Sequence, residues 1–279
     1  MYKDIKLIAL DLDGTALRSN NTLSDKVKNA VELAHGLGIT FVAASGRPFA
    51  SMPREILDMP GFEYYIASNG AAIYDKHGNR IRSVTLKESD VLELLRLTRD
   101  RDLIWEAFLD GETCTDSRYY NDPVSYGCSA AYVDYVRSSR GSSDDMRGFI
   151  RRNRKRLDSV EFVVTDSKLR SKLWELIEKS LPSLYVTSSS RNFVEIMDGS
   201  ATKANALKYL CYTLGVPLEN TAAAGNADND VDMITEAGLG VAVRNASQRC
   251  LDSAELIVAS NDDDGIAELI FKIIKPADS

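Results

Sequence analysis

The feature that most constrains the fold is a regular alternation of short apolar runs with helical patterns at both ends of the chain. Runs 5–10, 39–44 and 64–67 are short and apolar, as expected of buried strands. Runs 221–224 and 239–243 repeat the pattern in the tail. Between the runs, apolar residues recur at three- and four-residue spacing, as on one face of a helix. This rhythm predicts an α/β fold, with a Rossmann-like parallel-sheet core and helices on both faces.

The middle of the chain follows a different pattern. Residues 104–115 form two strand-like runs joined at Asp110-Gly111, a strong hairpin signal. A tyrosine-rich stretch, a Gly/Ser segment and further short strands and helices follow. We therefore expect residues 86–190 to form a separate α+β domain, inserted into a core made of residues 1–85 and 191–279.

Composition excludes several classes of protein. The 279-residue chain has a net charge of −7, which argues against a nucleic-acid partner. No apolar run approaches the roughly 18–20 residues needed to cross a bilayer, so no membrane partner is expected. The four cysteines are scattered and fit reduced thiols in a cytoplasmic protein. With only two histidines, a histidine-based triad or multi-histidine metal site is not expected.

The sharpest local signal is the segment Asp11-Leu12-Asp13-Gly14-Thr15, directly after the first apolar run. Acidic residues at the carboxyl end of a parallel strand stand in the crevice where α/β sheets bind ligands. One carboxylate can attack a substrate while the other transfers protons, and both attract a hard cation such as Mg²⁺. The alternative is a surface turn, because Asp-Gly is a common turn pair.

Each of three later segments, considered alone, also allows both a functional and a purely structural interpretation. Ser45-Gly46-Arg47 follows the second run and is either a phosphate-holding loop or an ordinary turn. Lys203 opens a helical stripe, although most lysines are solvated. The acidic segment 225–230 either binds a metal or caps the following helix.

Together and in this order, the four segments resemble the haloacid dehalogenase superfamily, specifically its Cof-type phosphatases. The motif D-x-D-G-T matches residues 11–15, the strand ending in S-G-R matches 45–47, and the motif lysine matches Lys203. The motif G-D-x-x-N-D matches 225–230 with one change. Weaker similarities occur at 68–71, 193–196, 241–246 and 261–265. The resemblance implies that residues 86–190 are the α/β cap that sets substrate specificity.

The resemblance also implies a mechanism. Asp11 is expected to be the nucleophile that forms an aspartyl-phosphate, Asp13 the proton donor and acceptor, and Lys203 the third catalytic residue. The residues expected to bind phosphate or substrate are Leu12, Ser45, Gly46, Asn69, Lys203 and Asn229. The expected cofactor is Mg²⁺, and its expected ligands are Asp11, Asp13, Asn226 and Asp230.

Asn226 departs from the family pattern, which has aspartate at this position. An amide oxygen can bind Mg²⁺ but brings no charge, unless Asp228 or Asp230 compensates. The leading expectation is a cytoplasmic, Mg²⁺-dependent hydrolase of small phosphorylated metabolites, with sugar phosphates first, as a monomer or homodimer. The alternatives are a degenerate member that binds phosphorylated ligands with little turnover, and a phosphohexomutase.

Overall fold

The structure is a computed structural model that describes residues 4–275, and the two ends of the predicted core, 1–3 and 276–279, lie outside the described residues. Fourteen strands are present within this range. In chain order they are β1 (Leu7–Leu10), β2 (Thr40–Ala44), β3 (Phe62–Ala67), β4 (Ala72–Asp75), β5 (Arg80–Ser83), β6 (Ile104–Leu109), β7 (Glu112–Asp116), β8 (Gly141–Ser143), β9 (Leu157–Val163), β10 (Leu184–Thr187), β11 (Phe193–Asp198), β12 (Thr221–Gly225), β13 (Leu239–Val243) and β14 (Leu256–Val258).

Eleven α-helices connect the strands of the described chain. They are α1 (Asp25–Gly36), α2 (Arg54–Leu57), α3 (Glu88–Leu97), α4 (Ser117–Asn121), α5 (Val133–Ser139), α6 (Met146–Asn153), α7 (Ser167–Ser180), α8 (Lys203–Leu214), α9 (Val231–Glu236), α10 (Gln248–Ser253) and α11 (Gly265–Ile274). Within residues 4–275, no helix combines the length and the apolarity needed to cross a membrane.

The first sheet has eight strands in the order β14-β13-β12-β1-β2-β3-β4-β5. Strands β14 to β3 pair in parallel, and β4 runs antiparallel to β3. All four residues of β1 are buried, so both faces of the sheet centre are covered. The predicted α/β fold with a central parallel sheet is confirmed. The carboxyl ends of β1, β2 and β12 share one edge, which is where ligands bind in such sheets.

The second sheet has six strands in the order β10-β11-β9-β6-β7-β8. One face packs its apolar residues, among them Trp105, Phe162 and Ile196, against α3, α6 and α7. Trp105 and Phe162 meet edge to face, with ring centroids 4.4 Å apart. The opposite face carries a second apolar cluster around Tyr119 and Val136 from α4 and α5. The two faces therefore have separate partners.

The chain divides into two compact units. The core unit comprises the described residues up to Gly46, Met52–Ile81, and those from Thr202 onwards. The inserted unit comprises Arg47–Ser51 and Arg82–Ala201. The second boundary thus lies at 201/202 rather than the expected 190/191, because β11 pairs antiparallel with β9 and β10 in the second sheet.

Local sequence explains the main element ends. The side chain of Ser24 accepts a hydrogen bond from the Val27 amide and caps α1, as the sequence predicts. Asp110 and Gly111 both have positive φ, 53° and 88°, which is the conformation of a tight two-residue hairpin turn. This turn joins β6 to β7 in antiparallel register, as the sequence predicts.

Candidate active site

Asp11 lies at the carboxyl end of β1. Its amide donates to the Ala224 carbonyl on β12 at 2.9 Å, which fixes its place at the sheet edge. The residue is only 5% exposed. Burial, reinforced by Asp230, raises the pKa of Asp11 to about 7, against the opposing effect of Lys203. An ionised Asp11 is therefore a poorly hydrated anion, a state that favours both cation binding and nucleophilic attack.

Lys203 is the buried cation beside Asp11. It opens α8, where the Thr202 side chain caps the helix by accepting from the Asn205 amide at 3.1 Å. Its Nζ donates to Asp11 Oδ1 at 2.8 Å and to Asp230 Oδ1 at 2.6 Å. Burial favours loss of the proton, but the two carboxylates outweigh it and raise the pKa of Lys203. The lysine therefore stays charged in a 1%-exposed position.

Asp230 connects this ion pair to the loop after β12. Its Oδ2 accepts from the Asn226 amide at 2.9 Å and the Ala227 amide at 3.0 Å, while Oδ1 accepts from Lys203. The residue is fully buried. The sequence-based prediction placed Asp230 among the metal ligands, whereas its described contacts are with Lys203 and loop amides.

Asp13 is solvent-exposed, in contrast to Asp11. The next residue, Gly14, has a φ of 76°, which favours glycine. A Cβ at Gly14 would lie 2.5 Å from Asn226 Nδ2, so glycine also leaves room for the Asn226 side chain. The structure thus brings Asn226 against the 11–15 loop, as its predicted role as a ligand requires.

Asn69 connects the loop after β2 to the loop after β12. Its amide donates to the Ser45 carbonyl at 3.0 Å, and its Oδ1 accepts from Asn229 Nδ2 at 2.9 Å. Asn69 has φ 54° and ψ 25°, a left-handed conformation that asparagine tolerates better than most residues. Its side chain also lies against Gly46, where a Cβ would be 3.2 Å from Asn69 Oδ1. Three segments distant in sequence therefore meet at one sheet edge.

Two further asparagines position the 11–17 loop and were not among the predicted site residues. Asn245 Nδ2 donates to the Gly14 carbonyl at 2.8 Å, and Asn245 Oδ1 accepts from the Asn261 amide at 3.1 Å. Asn261 Nδ2 donates to the Leu17 carbonyl at 3.0 Å. The sequence signal existed, since both lie in segments 241–246 and 261–265 that resemble the family.

Asp228 does not compensate for the missing charge at Asn226 through any described contact. Its carboxylate accepts from Ser247 Oγ at 2.8 Å and pairs with Arg249 at 3.1 Å. Leu12 is fully buried, and its carbonyl accepts from the amides of Thr15 and Leu17, so it shapes the loop from within.

The residues present fit a hard divalent cation with few charged ligands. Among residues 4–275, no three His, Cys, Asp or Glu side chains group in an arrangement able to hold a metal. An ion would therefore depend on the Asp11 carboxylate together with neutral oxygens from Asn226 and the Asp13 carbonyl. Mg²⁺ accepts such a set, because it commonly uses one or two carboxylates and keeps several waters.

Comparison with known proteins agrees with this geometry. The family model for haloacid dehalogenase-like hydrolases matches residues 8–270. The phosphatase YwpJ of Bacillus subtilis is 29% identical, over 95% of this chain and 99% of its own. The 5-amino-6-(5-phospho-D-ribitylamino)uracil phosphatase YcsE of the same organism is 26% identical, over 96% of this chain and 95% of its own.

Solved structures agree as well. A haloacid dehalogenase-like hydrolase from B. subtilis superposes with a TM-score of 0.85 at 25% identity, covering 97% of this chain and 100% of its own. A subclass IIB sugar phosphatase superposes with a TM-score of 0.82 at 20% identity, covering 96% and 100%, which supports the fold alone. The resemblance inferred from the motifs is confirmed, and the chain belongs to the haloacid dehalogenase-like hydrolase family.

Proposed function

We propose that the protein is a Mg²⁺-dependent phosphatase that hydrolyses small phosphate monoesters through an aspartyl-phosphate on Asp11. The observation that carries the proposal is the pairing of buried Asp11 with Lys203 at 2.8 Å, beside exposed Asp13. A buried carboxylate held by one cation is suited to attack, and an exposed carboxyl group is suited to exchange protons.

In the first step, a carboxylate oxygen of Asp11 attacks phosphorus while the bond to the ester oxygen breaks. The leaving alkoxide takes a proton from Asp13, which becomes a carboxylate. The product alcohol is released, and the phosphoryl group remains on Asp11. Proton donation by a positioned acid contributes most when the leaving group is strongly basic.

In the second step, water attacks the phosphorus of the aspartyl-phosphate. The Asp13 carboxylate accepts a proton from this water, inorganic phosphate leaves, and Asp11 is restored. Asp13 is thereby returned to its protonated form, so the cycle closes without any other proton carrier. Exposure of Asp13 to solvent favours this exchange.

Charge neutralisation supports both steps. Lys203 offsets negative charge beside Asp11, and Asp230 holds Lys203 in place. Bound Mg²⁺ would supply further neutralisation of phosphate charge, with Asp11, the Asp13 carbonyl and Asn226 as its ligands. We assign Asp230 to positioning Lys203 instead of to the metal, because its oxygens accept hydrogen bonds from Lys203 and two loop amides.

Polar groups around the sheet edge suit the phosphate oxygens. We assign this role to the Leu12 and Gly46 backbone, Ser45, Asn69, Lys203 and Asn229. Asn229 Oδ1 is buried and makes no hydrogen bond with the described residues, while its amide nitrogen donates to Asn69. The amide pair therefore fixes the orientation of Asn229 before any ligand arrives.

Phosphorylated sugars or sugar alcohols are the first substrates to test. The relative YcsE is named for a substrate with a phosphate on a ribityl chain, and it is 26% identical to this chain. The inserted unit is proposed to select the substrate, in a cytoplasmic enzyme that works as a monomer or homodimer.

A second candidate function rests on Asn226. A neutral ligand lowers the charge available to Mg²⁺, and Asp228 is engaged with Ser247 and Arg249. If metal binding is too weak for turnover, the protein would bind phosphorylated ligands without hydrolysing them efficiently.

A panel of sugar phosphates with Mg²⁺, and with a chelator, separates the two functions. Phosphate release that requires Mg²⁺ and disappears in Asp11→Asn supports the phosphatase. The matched control is Asp25→Asn, a change at an exposed aspartate on α1. Tight binding of the same esters without phosphate release in the unmodified protein would instead support the binding function.

A further inference from the structure

The turn that follows β3 has an uncommon backbone conformation. Its three residues, Ser68, Asn69 and Gly70, all have positive φ angles, of 48°, 54° and 103°. Residues other than glycine rarely adopt this left-handed region, because their Cβ crowds the backbone. The turn also buries Ser68 Oγ, which makes no hydrogen bond with the described residues. Both features cost folding free energy, and they persist where the surrounding structure fixes them, most often at functional sites.

Gly70 packs against the start of α8. A Cβ at Gly70 would overlap the Thr202 carbonyl oxygen, and it would lie 2.5 Å from the carbonyl carbon and 3.1 Å from the Lys203 nitrogen. These are backbone atoms, so rotation of a side chain would not make room. The Thr202 carbonyl also accepts a hydrogen bond from the Ala206 amide at 3.0 Å. The peptide group that precedes Lys203 is therefore held between the turn and the first hydrogen bond of α8.

The same turn holds two loops that carry proposed phosphate-binding residues. The Asn69 amide donates to the Ser45 carbonyl at 3.0 Å, and Asn69 Oδ1 accepts from Asn229 Nδ2 at 2.9 Å. The Ala71 amide donates to the Ser68 carbonyl at 3.1 Å and closes the turn. The loops after β2 and β12 and the start of α8 thus share one point of contact, and a shift of the turn would displace all three.

The position at which α8 begins decides where the Lys203 ammonium group lies. The Lys203 side chain is 1% exposed, and its Nζ lies 2.8 Å from Asp11 Oδ1 and 2.6 Å from Asp230 Oδ1. Hydrogen bonds weaken steeply when their donor and acceptor move out of line. In a site that works by aligning charged groups, a displacement of about 1 Å can slow the reaction about 100-fold. Small movements at the start of α8 should therefore affect turnover.

We propose that Gly70 is a positioning residue: the left-handed turn 68–70 fixes the start of α8 and thereby places the Lys203 ammonium group between Asp11 and Asp230. Glycine suits this position for two reasons, a left-handed backbone and the direct approach of another backbone segment. The placement of α8 follows from contacts within the core unit, whereas its effect on turnover rests on the proposed phosphatase function.

The test compares Gly70→Ala with Gly215→Ala. Gly215 ends α8 with a positive φ of 66°, and the space within 4 Å of a Cβ there is open. Both changes place alanine in the left-handed region, but Gly70→Ala also meets the backbone of Thr202. Hydrogen exchange, measured by NMR, compares the Ala206 amide in the first turn of α8 with the Leu210 amide in the middle of the helix.

In Gly70→Ala, exchange at Ala206 should accelerate about tenfold more than at Leu210, because the carbonyl that accepts from Ala206 is displaced. The kcat for phosphate esters should fall about 100-fold. Gly215→Ala should retain both the ratio of the two exchange rates and the kcat of the unmodified protein. A general loss of stability would speed exchange at both amides equally, so the ratio reports the local displacement.

A second variant, Ala71→Gly, loosens the turn without adding an atom, and it decides the matter if Gly70→Ala shows no cooperative thermal unfolding. It should raise the same ratio. The proposal is overturned if the ratio in the folded variant equals that of the unmodified protein, or if the ratio rises while kcat is unchanged. Absence of turnover in the unmodified protein would instead refute the proposed function, and the exchange ratio would still show whether the turn fixes the start of α8.

Discussion

The two compact units each bury a group of charged side chains, and the two groups differ in how charge is balanced. In the core unit, Lys203 Nζ contacts both Asp11 and Asp230, and Asp230 also accepts from two amides. In the inserted unit, Glu106, Glu161 and Glu195 stand opposite one another on neighbouring strands and form a carboxylate row. Arg140 pairs with Glu106. The first group pairs each carboxylate with a lysine, whereas the second places carboxyl groups directly opposite one another across a sheet.

Buried charged groups affect the stability of the two units in opposite ways. Removing the core cation leaves two buried carboxylates without their partner. Removing one glutamate from the row relieves repulsion instead. Substitutions in the two groups should therefore change the free energy of unfolding in opposite directions.

The largest stability effect is expected for Lys203→Met. Breaking a buried ion pair typically costs about 3–5 kcal/mol, because it leaves an uncompensated charge. Chemical denaturation should show a loss of this order, together with loss of phosphatase activity. Lys208→Met, which removes a partly exposed lysine from the same helix, is the control and should change stability little. A fully stable Lys203→Met protein would refute the structural role of the ion pair.

The next effect concerns proton transfer by Asp13. Asp13→Asn should slow hydrolysis of alkyl phosphates on the order of 10²–10⁴-fold, the usual contribution of a general acid. An aryl phosphate with an acidic leaving group should lose less in its first step, since its alkoxide needs no proton. Steady-state and burst kinetics on both substrates provide the measurement. Equal losses in the burst phase for both leaving groups would contradict the acid role.

A smaller effect is expected for Asn226→Asp. Restoring the charge should lower the Mg²⁺ concentration for half-maximal activity about tenfold, which corresponds to about 1.4 kcal/mol. Asn153→Asp adds the same charge on α6 and serves as the control. An unchanged or higher half-saturating Mg²⁺ concentration would mean that the side chain at this position does not limit metal binding.

The smallest effect is expected in the carboxylate row. The pKa of Glu161 is raised above its ordinary value of 4.5, so the folded state retains a proton that the unfolded state releases. Binding of this proton stabilises the folded state at pH values below 4.5, and this stabilisation is lost as the pH rises. Glu161→Gln should gain about 1 kcal/mol or less in free energy of unfolding at neutral pH relative to the unmodified protein, and the gain should shrink in acid.

Thermal unfolding at several pH values measures this difference, with Glu112→Gln as the matched control. A destabilised Glu161→Gln protein at neutral pH would show that the Glu161 carboxylate contributes to folding. The contrast with Lys203→Met would then disappear.

That the proposed catalytic residues lie close together was predictable, because Asp11 and Ser45 follow strands in sequence. Asp11 and Ser45 come directly after β1 and β2, and the carboxyl ends of parallel strands share an edge. Asn245 and Asn261 were harder to assign, since their hydrogen bonds to the 11–17 loop depend on how distant loops approach. The residue pattern of a single segment gives no information about the distances between loops.

The pairing of strands between segments could not be predicted from the sequence either. The sequence of β11 does not show which sheet it joins, so the expected boundary at 190/191 missed its pairing with β9 and β10. The carboxylate row could not be predicted from the sequence for the same reason. Glu106, Glu161 and Glu195 are far apart in sequence, and only the register of three strands brings them together.

Trapping of the covalent intermediate tests the central claim most directly. Rapid acid quenching during turnover, followed by mass spectrometry of the peptides, should find a phosphoryl group on Asp11. Asp11→Asn should show no such adduct and no Mg²⁺-dependent turnover, while retaining a cooperative thermal transition. A phosphoryl group on another residue, or substantial turnover by folded Asp11→Asn, would contradict the account.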